Sequence, residues 1–443
     1  MSSNLVGPIR GMGLVPGVAR GKLTRKAATT GILLADHRIL RSMTVLPAGC
    51  VLVDAAPFSH ASIALLSRGI PTVMVGAEET SQLREGLEVV LDGASGWVLP
   101  MEAHDVDLTP SPPPVPCDLH TLDGEPIDIR ASVRSAAAVR LARERGVAAI
   151  GLVRTEFLLP EAGAMPDRAF YAEAFEGVLE AAQQLPVTFR LLDLAPDKHP
   201  NWASALPESG PLGLHGSRLY RHPVVRSIVE AQLQALGPLS RRYQTGLLVP
   251  NVDTVEQFQH WRASINAALR DPGVSVGAML ETTGAALAVD RFLSAADLVG
   301  FGLNDIMQSL FGADRDLPAV RAQLDPYGPA LYRFLRLTAE LAGAGVNRVQ
   351  LCGILPQLPG VLPVLLGLGY RTFSVDVAHA PYLARTVAMR SSAQDRALAE
   401  AVCAAASGQA VAALLGVWHE GGDRRDAEEQ APWTAGASRH PRQ

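Results

Sequence analysis

Hydrophobic and polar positions alternate along this chain in two different ways. Over the first hundred residues, short apolar runs at 51–54, 72–75 and 88–91 are separated by turn residues. One segment there, 59–68, has helical spacing, with Ile63 and Leu66 on its apolar side. That pattern predicts a small α/β domain. From residue 127 the pattern becomes repetitive. Eight apolar runs, at 127–133, 149–157, 187–194, 246–252, 275–281, 298–305, 349–353 and 372–376, alternate with helical-period segments such as 136–145, 168–184, 254–269, 329–344 and 359–368. Eight strands alternating with helices over this length predict a (β/α)8 TIM barrel; a doubly wound sheet is the alternative.

The runs end in polar residues: Arg154, Arg190 and Asp193, Asn251, Glu281, Asn304 and Asp305, Cys352, and Asp376. Barrel enzymes build their sites from those strand ends. A strand reaching water also ends in a polar residue, which accounts for any one position. It accounts less well for two arginines, several carboxylates and a cysteine together, and this convergence favours the barrel.

Between the two patterns lies Leu-Thr-Pro-Ser-Pro-Pro-Pro-Val-Pro at 108–116. Proline at that density excludes helix and central strand and predicts a semi-rigid linker, with an ordered loop crossing a surface as the alternative. An Ala-rich helical region follows the barrel at 393–417, broken by Ser-Gly at 407–408. The expected organisation is a small domain at 1–105, a linker at 106–125, a barrel with C-terminal helices at 126–418, and a disordered polar tail at 419–443.

Composition narrows the function. The 443 residues are 48% hydrophobic and 19% charged, which excludes global disorder. A net charge of −5 gives no bulk attraction for nucleic acid or anionic membrane, so neither is an expected partner. An anionic substrate must be held by local arginines. The four scattered cysteines form no CxxC pair, so neither a zinc ribbon nor a disulfide framework is predicted. No signal-peptide core and no membrane-length apolar run is present, and the expected location is the cytoplasm.

Two constellations carry candidate chemistry. In Phe-Ser-His-Ala-Ser-Ile, starting at Phe58, Ser59 is an N-cap candidate and His60 falls in the first helical turn. There the helix dipole and free N–H groups disfavour an imidazolium and favour a phosphoryl group on the ring. A structural histidine fits the spacing equally well. The second constellation is the set of barrel strand ends.

Both resemble the phosphoenolpyruvate-utilising enzyme family, whose members include Enzyme I of the sugar phosphotransferase system, pyruvate phosphate dikinase and phosphoenolpyruvate synthase. The first segment resembles the phosphohistidine motif Gly-Gly-x-Thr-Ser-His-x-x-Ile-x-Ala-Arg, with Ala55, Ala56 and Phe58 in place of the glycines and threonine. In the barrel, Gly-Leu-Val-Arg-Thr-Glu-Phe from Gly151, Arg-Leu-Leu-Asp-Leu-Ala-Pro-Asp-Lys from Arg190, Met-Leu-Glu from Met279, Gly-Leu-Asn-Asp from Gly302, and Leu-Cys-Gly from Leu351 resemble the family's motifs in order. The nearest likeness is to Enzyme I without the helical domain that docks its phosphocarrier protein, since only 23–44 separates the flanking segments here.

The resemblance implies a swivelling phosphohistidine domain ahead of a TIM barrel. It implies that His60 is phosphorylated and that Cys352 is the acid/base that protonates the enolate. Arg154, Arg190, Arg315, Arg218, Lys198 and Asn304 would bind phosphoenolpyruvate, and Glu281 and Asp305 would hold Mg2+. It also implies a homodimer joined through the barrel. The products would be pyruvate and a phosphorylated acceptor of unknown identity, a small molecule or a phosphocarrier-like protein. The chain departs from the pattern at Ile354, and at His215, where Enzyme I relatives carry the first arginine of Leu-Gly-x-Arg-Ala-x-Arg. Two other readings stay open: a lyase acting on a pyruvate-like acid with His60 structural, and a regulatory protein that binds phosphoenolpyruvate without turnover.

Overall fold

The computed structural model describes residues 7–36, 39–40, 45–53, 57–101, 108, 110–159, 165–194, 206, 212–269, 273–317 and 319–419. Lys198, Ala55, Ala56 and the expected tail from residue 420 lie outside the described residues.

The small unit is one eight-stranded sheet in the order β1-β8-β7-β3-β4-β5-β6-β2. Its strands are β1 (Ile9–Arg10), β2 (Met12–Val15), β3 (Val18–Thr24), β4 (Ile32–Ala35), β5 (Gly49–Val53), β6 (Thr72–Val75), β7 (Glu88–Asp92) and β8 (Trp97–Pro100). The runs predicted at 51–54, 72–75 and 88–91 are β5, β6 and β7. The predicted helix is His60–Arg68, capped by Ser59, whose Oγ accepts from the Ser62 N–H at 3.2 Å, and closed by Gly69 in the left-handed region. It crosses between the parallel strands β5 and β6, as a parallel pair requires.

The large unit is a closed parallel barrel. Its strands are β9 (Asp128–Val133), β10 (Ile150–Arg154), β11 (Val187–Arg190), β12 (Thr245–Val249), β13 (Ser275–Leu280), β14 (Val299–Gly302), β15 (Val349–Cys352) and β16 (Thr372–Asp376), and β16 pairs with β9 to close the ring. All eight predicted runs are strands, and the doubly wound alternative is excluded by closure. Closure has a local cause: the strands are buried on both faces, under the helices and around an interior of Leu152, Leu248, Met279 and Cys352.

The proline-rich stretch forms no helix or strand over 110–116. From Val115 onward it is fastened to the barrel. The Val115 N–H donates to Arg145 O at 2.8 Å, and Asp123 accepts from the Ser392 N–H at 2.9 Å. The Ala-rich region is two helices, Ser392–Ala404 and Gly408–Leu415, divided at the Ser-Gly break.

The small unit sits over the C-terminal mouth of the barrel. Arg134, just past β9, donates to the carbonyl of Ile63 at 3.5 Å and lies over the Phe157 ring at 4.1 Å. His379, buried after β16, faces the backbone of Leu14 in β2. Burial pushes that imidazole down to about 3, so it is neutral at this junction. No described helix is long and apolar enough to cross a membrane.

Candidate active site at the barrel mouth

Strand register sets the site. Arg154 and Arg190 are direct partners across β10 and β11, so both guanidinium groups emerge at one level of the rim. Cys352 is partnered by Gly302 on one side and Ser374 on the other, and Asp376 by Ser132. Residues at matched heights on neighbouring strands form one ring of side chains, the geometry barrel enzymes use.

Above this ring is a pocket lined by Ser132, Arg154, Asn304, Gly353, Ile354, Gln357, Ser374 and Asp376 from the barrel, and by Ile63 and Leu66 from the small unit. The helix that supplies its roof begins at His60. Arg154 is the informative wall. Among the described residues no hydrogen bond or ion pair engages its guanidinium, and its Nε is buried without a partner. A cation left so at a mouth has hydrogen-bonding capacity that an anion could use.

Arg190 is different: it is spent on the protein. Its Nη2 lies 2.7 Å from Glu156 and 3.0 Å from Asp193, and its Nη1 lies 3.2 Å from Glu281. Thr155 Oγ1 donates to Arg190 O at 2.9 Å, tying β10 to β11 behind it. Glu281 also accepts from the Asn251 N–H at 2.7 Å. To present that N–H, Asn251 adopts φ +48°, a left-handed conformation asparagine tolerates better than most residues. Gly302 is required beside it, because a Cβ there would meet Glu281 Cγ at 2.5 Å.

Burial pushes the Glu281 carboxyl up to about 8; Arg190 opposes this, and Asp305 and Asp193 reinforce it. Asp305 accepts from Gln308 Nε2 at 3.0 Å and faces Arg315 at 3.5 Å. Asn304 accepts from the Ile354 N–H at 3.1 Å through Oδ1, which packs against Gly353 at φ +115°. Glu281 and Asp305 are thus two hard oxygen donors whose negative charges repel. No group of three or more His, Cys, Asp or Glu forms a self-sufficient metal cage among the described residues. That donor set fits Mg2+, which takes one or two carboxylates and fills its shell with substrate oxygens and water.

Cys352 lies one layer down, 2% exposed, and accepts from Gln350 Nε2 at 3.2 Å. Burial pushes its thiol up to about 11, with Gln350 and Arg154 pulling the other way, so the proton stays on at neutral pH. Gly353 and Ile354, not Cys352, form the pocket wall above it. Arg218 holds Asp253 through two bonds, Nη2 at 2.7 Å and Nε at 3.0 Å, and donates from Nη1 to the carbonyls of Leu212 and Gly213. Its guanidinium fastens the loop.

The structure therefore brings Arg154, Arg190, Glu281, Asn304, Asp305, Arg315 and Cys352 to one end of the barrel, under the helix headed by His60. Sequence reasoning passed over Ser132, Arg134, Glu156, Gln357 and Ser374. Ser132 and Arg134 end the first barrel strand, and the strand-end rule that selected the others would have found them. Gln357, in a turn after β15, carried no such signal.

A closed barrel whose mouth holds an arginine unpaired among the described residues, the buried carboxylate of Glu281 and a docked α/β cap has the architecture of a two-unit enzyme. Residues 116–392 match the PEP-binding domain of the PEP-utilising enzymes, and residues 36–96 match their mobile domain. The chain is 32% identical over 390 residues to a phosphoenolpyruvate-protein phosphotransferase of Streptomyces coelicolor, covering 85% of this chain and 68% of that one. It is 30% identical over 394 residues to the protein of the same name from Haloferax volcanii, covering 83% and 68%. It is 28% identical over 427 residues to the multiphosphoryl transfer protein of Xanthomonas campestris pv. campestris, covering 90% and 50%. The chain belongs to the phosphoenolpyruvate-utilising enzyme family, and it is a phosphotransferase of the Enzyme I type.

Proposed function

We propose that the barrel takes phosphoenolpyruvate and passes its phosphoryl group to His60, releasing pyruvate, and that phospho-His60 then serves a second acceptor. The observation that carries this reading is Arg154, a guanidinium with no partner in the described fold, on the wall of a pocket roofed by the His60 helix.

The roles follow from charge and position. Arg154 and Arg315 meet the substrate's anionic groups, with Arg190 holding the carboxylates around them in place; Asn304 meets a phosphate oxygen. Lys198 joins the binding set by resemblance alone. Glu281 and Asp305 would hold Mg2+, which when bound offsets the negative charge that builds on the phosphate and enolate oxygens. The bond between phosphorus and the enol oxygen breaks as a phosphorus–nitrogen bond forms at His60. The electron pair leaves with the enolate. The Cys352 thiol, protonated at neutral pH, gives its proton to the methylene carbon to form pyruvate. The reading includes a homodimer joined through the barrel and an acceptor that is either a small molecule or a phosphocarrier-like protein.

The test is incubation with Mg2+ and phosphoenolpyruvate labelled in the phosphate. Acid-labile, base-stable label on the protein with matching pyruvate is the expected result. Binding without label or pyruvate would leave a regulatory protein; pyruvate without label would point to a lyase.

Two further outcomes are expected. Cys352→Ala slows pyruvate formation by about 10²–10⁴-fold, the usual worth of a positioned acid or base, in a single-turnover assay. Wild-type speed in that variant would leave Cys352 as core packing. Asp305→Asn raises the Mg2+ concentration for half-maximal label by about tenfold or more, and chelation of Mg2+ abolishes label in the unaltered protein. A variant that keeps the wild-type Mg2+ requirement would remove Asp305 from the metal site.

A further inference from the structure

We propose that Gln350 is the residue that positions the Cys352 thiol: its side-chain amide, aimed by Arg130, brings an N–H to the sulfur and steadies the thiolate left when the enolate is protonated. This rests on the reading of Cys352 as the proton donor and deepens it.

The first support is a polar row where a barrel interior is ordinarily aliphatic. Gln350 and Cys352 are two apart on β15, so their side chains fall on one face of the strand. Asp128 and Arg130 stand in the same relation on β9. Arg130 Nε donates to Asp128 Oδ2 at 2.8 Å, and its Nη1 donates to Gln350 Oε1 at 3.1 Å. Gln350 Nε2 donates to Gly151 O at 3.0 Å and to Cys352 Sγ at 3.2 Å. Gln350 is buried, and burying an amide costs free energy unless its hydrogen bonds are made. Here its oxygen and its nitrogen are both satisfied, so the row runs without a break from Asp128 to the thiol.

The second support is that the amide can point only one way. The oxygen and nitrogen of a glutamine are nearly alike in shape, so their partners decide which is which. Arginine only donates, so the atom facing Arg130 must be the oxygen. The carbonyl of Gly151 only accepts, so the atom facing it must be the nitrogen. The other N–H of that nitrogen is thereby delivered to Cys352. Arg130 is itself held in direction by Asp128. Gly151 makes the room: a Cβ there would meet Gln350 Oε1 at 2.8 Å.

The third support is the chemistry of the step. Proton donation breaks the S–H bond, forms a C–H bond at the methylene carbon and leaves the electron pair on sulfur as a thiolate, which takes its next proton from water. The sulfur is buried, so little water solvates that charge. A hydrogen bond to a charged acceptor is about twice as strong as one to a neutral acceptor. The Gln350 N–H therefore binds the sulfur more strongly as the proton leaves, which is the condition for speeding a step rather than only tightening the resting state. The thiol proton has a long contact of its own, to Gln350 O at 3.9 Å, which holds it weakly.

The experiment measures single-turnover pyruvate formation from phosphoenolpyruvate and Mg2+ in Gln350→Met and in the double variant Arg130→Met, Gln350→Met. The double variant replaces both buried partners by apolar side chains, so the test does not depend on a fold that tolerates an unpaired guanidinium. Each should form pyruvate about 10- to 100-fold more slowly at saturating substrate, with the half-saturating concentration unchanged. In a Cys352→Ala background the same substitutions should slow pyruvate formation no further, because the sulfur they act through is gone. A general effect on the fold would persist there. Unaltered speed in the double variant, an equal loss with and without Cys352, or a loss confined to the half-saturating concentration would each overturn the proposal. Absence of label and pyruvate in the unaltered protein would bring down the phosphotransferase reading and this one with it. Unaltered speed in Cys352→Ala would bring down the proton-donor assignment and this one with it. A slow Cys352→Ala beside a fast Gln350→Met brings down this one alone.

Discussion

His60→Ala is expected to abolish phosphoryl label on the protein while leaving phosphoenolpyruvate binding in place. The helix that His60 heads is held by elements the substitution does not touch: the Ser59 cap, the left-handed Gly69 terminus, and the buried Phe58, Leu65 and Leu66. Alanine is also a better helix former than histidine, so the thermal midpoint should not fall. The nucleophile is lost outright, and no neighbour replaces it, because the motif supplies one histidine: the residues around it are Phe58, Ser59, Ala61 and Ser62. Label by scintillation, substrate binding by calorimetry and melting by fluorescence separate the three quantities. Equal label in His60→Ala would remove His60 from the mechanism. Loss of binding together with label would show that the roof of the pocket, rather than the nucleophile, had been damaged.

Arg154→Met should have the next largest effect. Truncating one partner of a buried charged contact costs about 2–5 kcal/mol, which is about 30- to several-thousand-fold in kcat/KM. The same substitution should leave the melting temperature unchanged or slightly raised. Arg154 makes no hydrogen bond or ion pair among the described residues, and its buried Nε is already unsatisfied, so the fold loses no hydrogen bond when it goes, only a longer-range attraction to Asp376. Arg218→Ala should do the reverse, lowering the melting temperature by breaking the Asp253 pair and the loop bonds. A melting temperature that drops in Arg154→Met would mean the guanidinium serves the fold, and the anion reading would fall.

Much of this molecule is legible in its sequence. The eight barrel runs became strands because a strand covered on both faces must be apolar along its length, and that signature stands out against amphipathic helices. The small unit was read less completely. Its strand β3 carries Arg20 and Lys22 on an alternating, half-exposed pattern, and β1 is two residues long, so neither makes an apolar run. The site residues were named from strand ends and motif order, and Arg154, Arg190, Glu281, Asn304, Asp305, Arg315 and Cys352 lie at one end of the barrel. Their division of labour was not readable. Nothing in the chain says that Arg190 is consumed by Glu156, Asp193 and Glu281 while Arg154, its register partner, is left free of partners among the described residues. Nor does it say that Arg218 turns back on its own loop.

By itself, then, the sequence determined the two units, the barrel, the helix that begins at His60 and the set of residues available at the rim. These depend on periodicity, capping and local order, which act over a few neighbouring residues. Tertiary structure alone decided which arginine is left without a partner among the described residues, which carboxylate is pushed toward neutrality and which histidine is kept neutral. Each of those depends on burial and on partners brought from distant strands, and Coulomb energies at a few ångströms in a poorly solvated mouth outweigh any preference a residue has along the chain.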